Sequence, residues 1–213
     1  MRIGVPKEIK NHEYRVGLVP SSVRELISNG HEIFIEPNAG SGIDISDEDY
    51  RQAGAVIVDT AAEIYATAEM IIKVKEPQPN ECNMCREGQV IFTYLHLAPD
   101  PEQAKLLLDS GCIAIAYETV TDEQGRLPLL APMSEVAGRM SVQAGAHALE
   151  KAQGGRGILL GGVAGVAPAH VVVLGGGVVG TNALRMAIGM EAEVSILDKS
   201  LSRLRELDFQ FGS

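Results

Sequence analysis

The chain has 213 residues, 46% of them hydrophobic, enough for a sizeable core in one large or two small domains. Its formal net charge of −10 argues against nucleic acid or an anionic membrane surface as partner. Three cysteines make no disulfide framework, and Met1-Arg2-Ile3-Gly4 opens no secretory leader, so a reducing cytoplasm is expected.

Residues 2–6, RIGVP, read as a first strand, and 7–16 form a highly polar loop. Pro20 opens a helix with Val23, Leu26 and Ile27 on one face and Gly30 as its stop. A strand follows over 31–37, then a short acidic helix capped by Ser46 and ending near Gly54. Strands over 55–58, 70–77, 90–95 and 112–120 alternate with helices over 60–68 and 101–110. That alternation predicts an α/β domain with a parallel sheet over residues 1–128.

The polar, turn-rich stretch 121–128 marks a boundary. A long helix, rich in small residues, is expected from Ser134, as its cap, to about Gln153. Small side chains there permit close approach of another backbone, within the domain or at a seam or subunit interface. The most apolar stretch, 158–174, is broken by glycines and Pro168 and is not a membrane span.

Residues 171–198, VVVLGGGVVGTNALRMAIGMEAEVSILD, organise the second domain, 129–213. An apolar strand runs into Gly175, Gly177 and Gly180 in G-x-G-x-x-G spacing. A helix over 181–190 and a strand over 193–197 follow, and Asp198 stands at that strand's end. The first glycine permits the turn, the second close approach of a pyrophosphate, and the third packing of helix on strand. The helix N-terminus faces the phosphates, and a carboxylate at position 198 accepts ribose hydroxyls. The pattern predicts a dinucleotide site, with NAD favoured because an acid repels a 2′-phosphate.

Four residues could carry chemistry. Arg15, in the loop after the first strand, is either a carboxylate grip or a solvated arginine. Lys73 and Lys75, two apart at a strand end, would share a face, and one of them could polarise a carbonyl. His96, closing a strand, is either a general acid/base or a capping histidine. Cys82 and Cys85 form a C-x-x-C on a polar segment, but no second pair completes four zinc ligands, so no metal is expected.

The stretches GVPKEIKNHEYRVGLVPSSVREL (4–26), KVKEPQP (73–79), YLHLAPD (94–100), GGVAGVAPAHVVVLGGGVVG (161–180) and SILD (195–198) carry a resemblance across the whole chain. The sequence resembles the family of alanine dehydrogenase and the nicotinamide nucleotide transhydrogenase α subunit. The lysine and histidine segments and GGVAGVAPA resemble the dehydrogenase branch. That resemblance implies two Rossmann-like domains, reversible NAD-dependent deamination of L-alanine to pyruvate and ammonia, and a homo-oligomer, hexameric in the family. It implies that Arg15 and Lys75 bind substrate, that His96 and Lys75 are catalytic, and that Ser134, Gly175, Gly177, Val178, Val179, Gly180, Asp198 and Arg203 contact NAD. A non-catalytic NAD-binding remnant and a transhydrogenase α-subunit-like protein are the competing readings.

The sequence departs from the family at Val19, where a hydroxyl residue is common, and at Glu191, where Gly-x-Gly-Ala is usual. Past Leu174 there is sequence for only one mononucleotide half. The nucleotide domain is therefore expected to be incomplete, and this chain alone to show little or no turnover.

Overall fold

The structure, a computed structural model, describes residues 1–212. They form two compact units, Met1–Thr121 and the residues from Asp122 onward.

The first unit carries six parallel strands: β1 (Arg2–Val5), β2 (Glu32–Ile35), β3 (Val56–Ile57), β4 (Met70–Ile72), β5 (Val90–Thr93) and β6 (Ile113–Ala116). Their order in the sheet is β3-β2-β1-β4-β5-β6. β1 is central, pairing Ile3 with Ile33 on one side and with Met70 on the other. The order reverses between β1 and β4, which makes a crevice at the carboxyl ends of these strands. Helices α1 (Pro20–Ser28), α2 (Asp47–Gln52), α3 (Ala61–Thr67), α4 (Pro79–Cys82) and α5 (Pro101–Ser110) connect the strands.

Alternation along the strands fills two cores. Ile3, Val5, Ile33, Ile35 and Ile72 pack with Val23 and Tyr50. Ile71, next to Ile72, points the other way and joins Ile64, Tyr65, Ile91 and Leu107. Gly4 has no side chain because α3 lies against it: a Cβ there would stand 2.4 Å from Ile64 Cγ2. The local signals for the helices hold. Ser46 and Asp49 form a reciprocal capping box, Asp100 caps α5, and Gly111 closes α5 at φ 69°.

Several strands are shorter than their apolar runs suggest. β4 stops at Ile72 because the amides of Val74 and Lys75 donate to the Glu8 carboxylate, at 2.7 and 3.3 Å. β5 stops at Thr93 because those of Leu95 and His96 donate to Glu118, at 3.1 and 2.7 Å. The run over 112–120 likewise ends as strand at Ala116 and turns into a 3-10 turn, Tyr117–Thr119.

The second unit holds α6 (Ala131–Ala148), β7 (His170–Leu174), α7 (Val178–Gly189), β8 (Glu193–Leu197) and α8 (Leu201–Phe211). β7 and β8 are parallel, in register from His170↔Glu193 to Leu174↔Leu197. Val142, Leu160, Val173, Ala183 and Ala187 form their core. α6 begins three residues before the expected cap. Ser134 lies inside its first turns, and its amide donates to Leu130 O (3.1 Å). Pro132, near the start, has the φ a helix needs and lacks an N–H that would go unpaired there. The helix also ends earlier, at Ala148, where Glu150 turns extended (φ −64°, ψ 143°). Its small residues allow close packing within this unit: a Cβ on Gly138 would stand 2.2 Å from Val179 O. No helix among the described residues is long and apolar enough to cross a membrane.

Glu191 adopts the left-handed conformation, φ 62°, immediately beyond α7. An L-residue pays roughly 1–2 kcal/mol there, and glycine's extra chain entropy returns part of that. Glu191→Gly is expected to stabilise the chain by about 0.5–1 kcal/mol. A rise in the urea midpoint at unchanged m checks it; no rise would show that the strain is relieved elsewhere.

Candidate functional site

The crevice of the first unit gathers Arg15, Lys75 and His96 at the carboxyl ends of β1, β4 and β5. Arg15 is fixed by its neighbour. Its Nε and Nη2 donate to the two carboxylate oxygens of Glu13, at 2.8 and 2.6 Å. That fork holds the Glu13 carboxyl below the usual range and pushes the guanidinium up, so both stay charged. Lys75 lies close enough to favour the Glu13 carboxylate as well. Its carbonyl accepts from Thr93 Oγ1 (2.9 Å), tying it to the end of β5.

His96 also has a left-handed backbone, φ 49°. Its amide is held by Glu118, its Nδ1 lies 3.4 Å from Glu76 Oε2, and its ring stacks on Tyr94 with centroids 5.9 Å apart. Glu76 also pairs with Lys10. Tyr94 sits edge-on to Tyr117 and near Arg15. Burial pushes the Tyr94 hydroxyl up, and Arg15 opposes that shift. A strained backbone position, pinned by a carboxylate, thus aims an imidazole at the crevice.

Lys73 does something else. It does not share a strand face with Lys75, because β4 has already ended. Its side chain is fully buried, with Nζ 2.8 Å from Glu81 Oε1 and 3.3 Å from Glu8 Oε2. It is a structural cation, walled off from any substrate. Glu8, Glu13, Glu76, Glu118 and Tyr94 were not singled out in the sequence. Only the Glu13-x-Arg15 spacing was a local hint; the others meet their partners through the fold.

In the second unit, Gly175 (φ 97°) turns the chain out of β7. Gly177 caps α7, and a Cβ there would meet nothing within 4 Å. A Cβ on Gly180 would stand 1.8 Å from Gly175 O, so only glycine closes this turn. The first intrahelical bond of α7 is Thr181 N to Gly177 O (2.9 Å). The amides of Val178, Val179 and Gly180 therefore have no acceptor within the helix and point from its positive end. Ser134 and this turn line one groove of about 1360 Å³.

Asp198 braces the turn. Its Oδ2 accepts from Gly176 N (2.6 Å) and its Oδ1 from Ser200 N (2.7 Å). These amides, Ser200's first, hold its carboxyl below the usual range. A carboxylate has about four acceptor positions, so capacity for hydroxyl donors remains. Arg203, near the start of α8, donates through Nε to Gly176 O and through Nη2 to Thr181 Oγ1, both at 2.7 Å. Open space before Gly177, free first-turn amides and an ionised acid at the next strand's end fit a dinucleotide.

The family profile "Alanine dehydrogenase/PNT, N-terminal domain" matches residues 4–137, and "Alanine dehydrogenase/PNT, C-terminal domain" matches 141–213. The chain belongs to the alanine dehydrogenase/PNT family. It is 60% identical over 211 residues to the alanine dehydrogenase of Halomonas elongata, covering 99% of this chain and 57% of that relative. A solved structure of L-alanine dehydrogenase, 56% identical, superposes with a TM-score of 0.92 over 100% of this chain and 59% of that one. The transhydrogenase of Sinorhizobium meliloti, 27% identical, gives 0.82 over 98% of this chain and 62% of that one. The chain thus spans a little over half the length of the alanine dehydrogenases it matches.

Proposed function

We propose that the chain carries the substrate unit and the first nucleotide-binding half of an NAD-dependent L-alanine dehydrogenase. The single observation behind this reading is the joint placement of Arg15, Lys75 and His96 at the reversal point of the six-stranded sheet. Family membership names the chemistry those groups fit. Arg15 grips the substrate carboxylate. Lys75 donates to the oxygen that becomes the pyruvate carbonyl and offsets its developing charge. Bound NAD supplies the hydride acceptor. His96 takes a proton from the water that attacks the substrate iminium, and returns one in the reverse direction. Val178, Val179 and Gly180 offer amides to the diphosphate, Asp198 reads the ribose, and Ser134 and Arg203 flank the turn. A small-molecule substrate, a cytoplasmic setting and a homo-oligomeric assembly belong to the same reading.

Titration of the purified 213-residue chain with NADH tests the nucleotide half directly. The expected result is saturable fluorescence enhancement with little alanine turnover; no binding at millimolar NADH would remove the assignment. Asp198→Ser is expected to cut the preference for NADH over NADPH by roughly tenfold, because the 2′-phosphate no longer meets a carboxylate. General loosening of the turn would weaken both nucleotides alike. An unchanged ratio would show that Asp198 does not read the ribose.

A further inference from the structure

The three thiols take no part in the proposed reaction, yet they share one place in the first unit. Cys82 and Cys85 are buried with Ile64, Ile71 and Ile91, and partly buried Cys112 packs against them. The C-x-x-C spacing suggests pairing within the motif, but Cys85 also has Cys112 beside it, where each shifts the other's thiol. Cys82 Sγ donates to Pro77 O at 3.5 Å. Cys85 Sγ donates to Glu81 O at 3.5 Å, and Cys112 Sγ, far along the chain, to Leu107 O at 3.7 Å. The backbone holds these two stretches side by side. Gly88 N donates to Gly111 O (3.0 Å), and Ile113 N to Gln89 O (2.8 Å).

We propose that Cys85 and Cys112 are an oxidisable dithiol that closes to a disulfide under hydroperoxide, stapling the entry of β5 to the entry of β6. Cys112 is the attacking thiol. It is the more exposed of the two, and Cys85 beside it holds its thiol below the usual range. The same neighbour, together with burial, pushes the Cys85 thiol up. The Cys112 thiolate cleaves the peroxide O–O bond, giving Cys112–S–OH and hydroxide, which takes up the proton Cys112 had shed. Cys85 sulfur then displaces the sulfenic hydroxyl, forming the S–S bond, and its own proton leaves with that hydroxyl as water. Two thiols are oxidised and one peroxide is reduced to two waters.

The chain is treated with stoichiometric hydrogen peroxide, blocked with N-ethylmaleimide and digested with trypsin without reductant. The expected product joins peptide 76–86 to peptide 106–126 and carries a single maleimide. Cyanogen bromide cleavage at Met84 separates Cys82 from Cys85 and should place the maleimide on Cys82. Cys82→Ser should retain the bridge and Cys112→Ser abolish it. A bridge to Cys82, or Cys112 oxidised to sulfinate while Cys85 remains alkylatable, would overturn the proposal. The wild-type peptide map decides between these outcomes even if a variant fails to fold.

Discussion

Lys73→Met is expected to destabilise the chain by about 3–5 kcal/mol, read as a large fall in the urea midpoint by circular dichroism. Lys73 is the cation of a dry triad with Glu8 and Glu81, and all three side chains are at most 3% exposed. Methionine keeps the packing volume but leaves two buried carboxylates with no opposite charge. The amides of Val74 and Lys75 still serve Glu8, and that of Gln78 serves Glu81, but hydrogen bonds alone do not repay burial of two anions. The effect has a pH signature. Burial already pushes the Glu8 carboxyl up, and Lys73 is the chief opposing influence. Without the lysine it rises further. A carboxyl raised in the folded state gives stability that is whole below its unfolded pKa and lost as pH rises through the folded one. The Lys73→Met penalty should therefore be small near pH ~4 and grow towards pH ~8. A penalty below about 1 kcal/mol, or one independent of pH, would refute the buried-triad account.

This triad also shows where a sequence can be read and where it cannot. α5 and β8 have the expected bounds because their signals are local: Asp100 and Gly111 frame the helix, and Glu193–Leu197 is an uninterrupted run ending at an acid. The dinucleotide turn is legible for the same reason, since each glycine answers a clash or a φ set by its neighbours. The overlong strands have non-local causes. Nothing within 70–77 announces that Glu8 will take two of its amides, nor within 90–95 that Glu118 will do the same. Lys73 and Lys75 looked equivalent because spacing carries no information on which one meets buried acids. α8 was legible and overlooked: Ser200 caps it, its Oγ accepting from Arg203 N (3.2 Å), and Leu201, Leu204 and Leu207 follow at helical spacing.

The catalytic roles are tested where the whole reaction runs, in a chain extended to the full length of its relatives. There, His96→Gln is expected to lower kcat for alanine oxidation roughly 10²–10⁴-fold, the range for losing a positioned general base. Glutamine keeps the size and some hydrogen bonding of imidazole but cannot exchange a proton near neutral pH. Glu76 lies on the Nδ1 side of the ring, which favours a proton there and leaves Nε2 as the basic nitrogen. An unchanged circular dichroism spectrum in the variant would separate this loss from misfolding. Lys75→Met should cost a comparable factor in kcat, because its charge matters most as the carbonyl oxygen becomes anionic. Arg15→Lys should act mainly on KM. A lysine cannot reproduce the fork that Glu13 holds in place, yet it keeps the positive charge. NADH affinity measured on the same variants provides the control, since the glycine turn belongs to the other unit. Normal kcat in both His96→Gln and Lys75→Met would leave the crevice of the first sheet without its assigned chemistry.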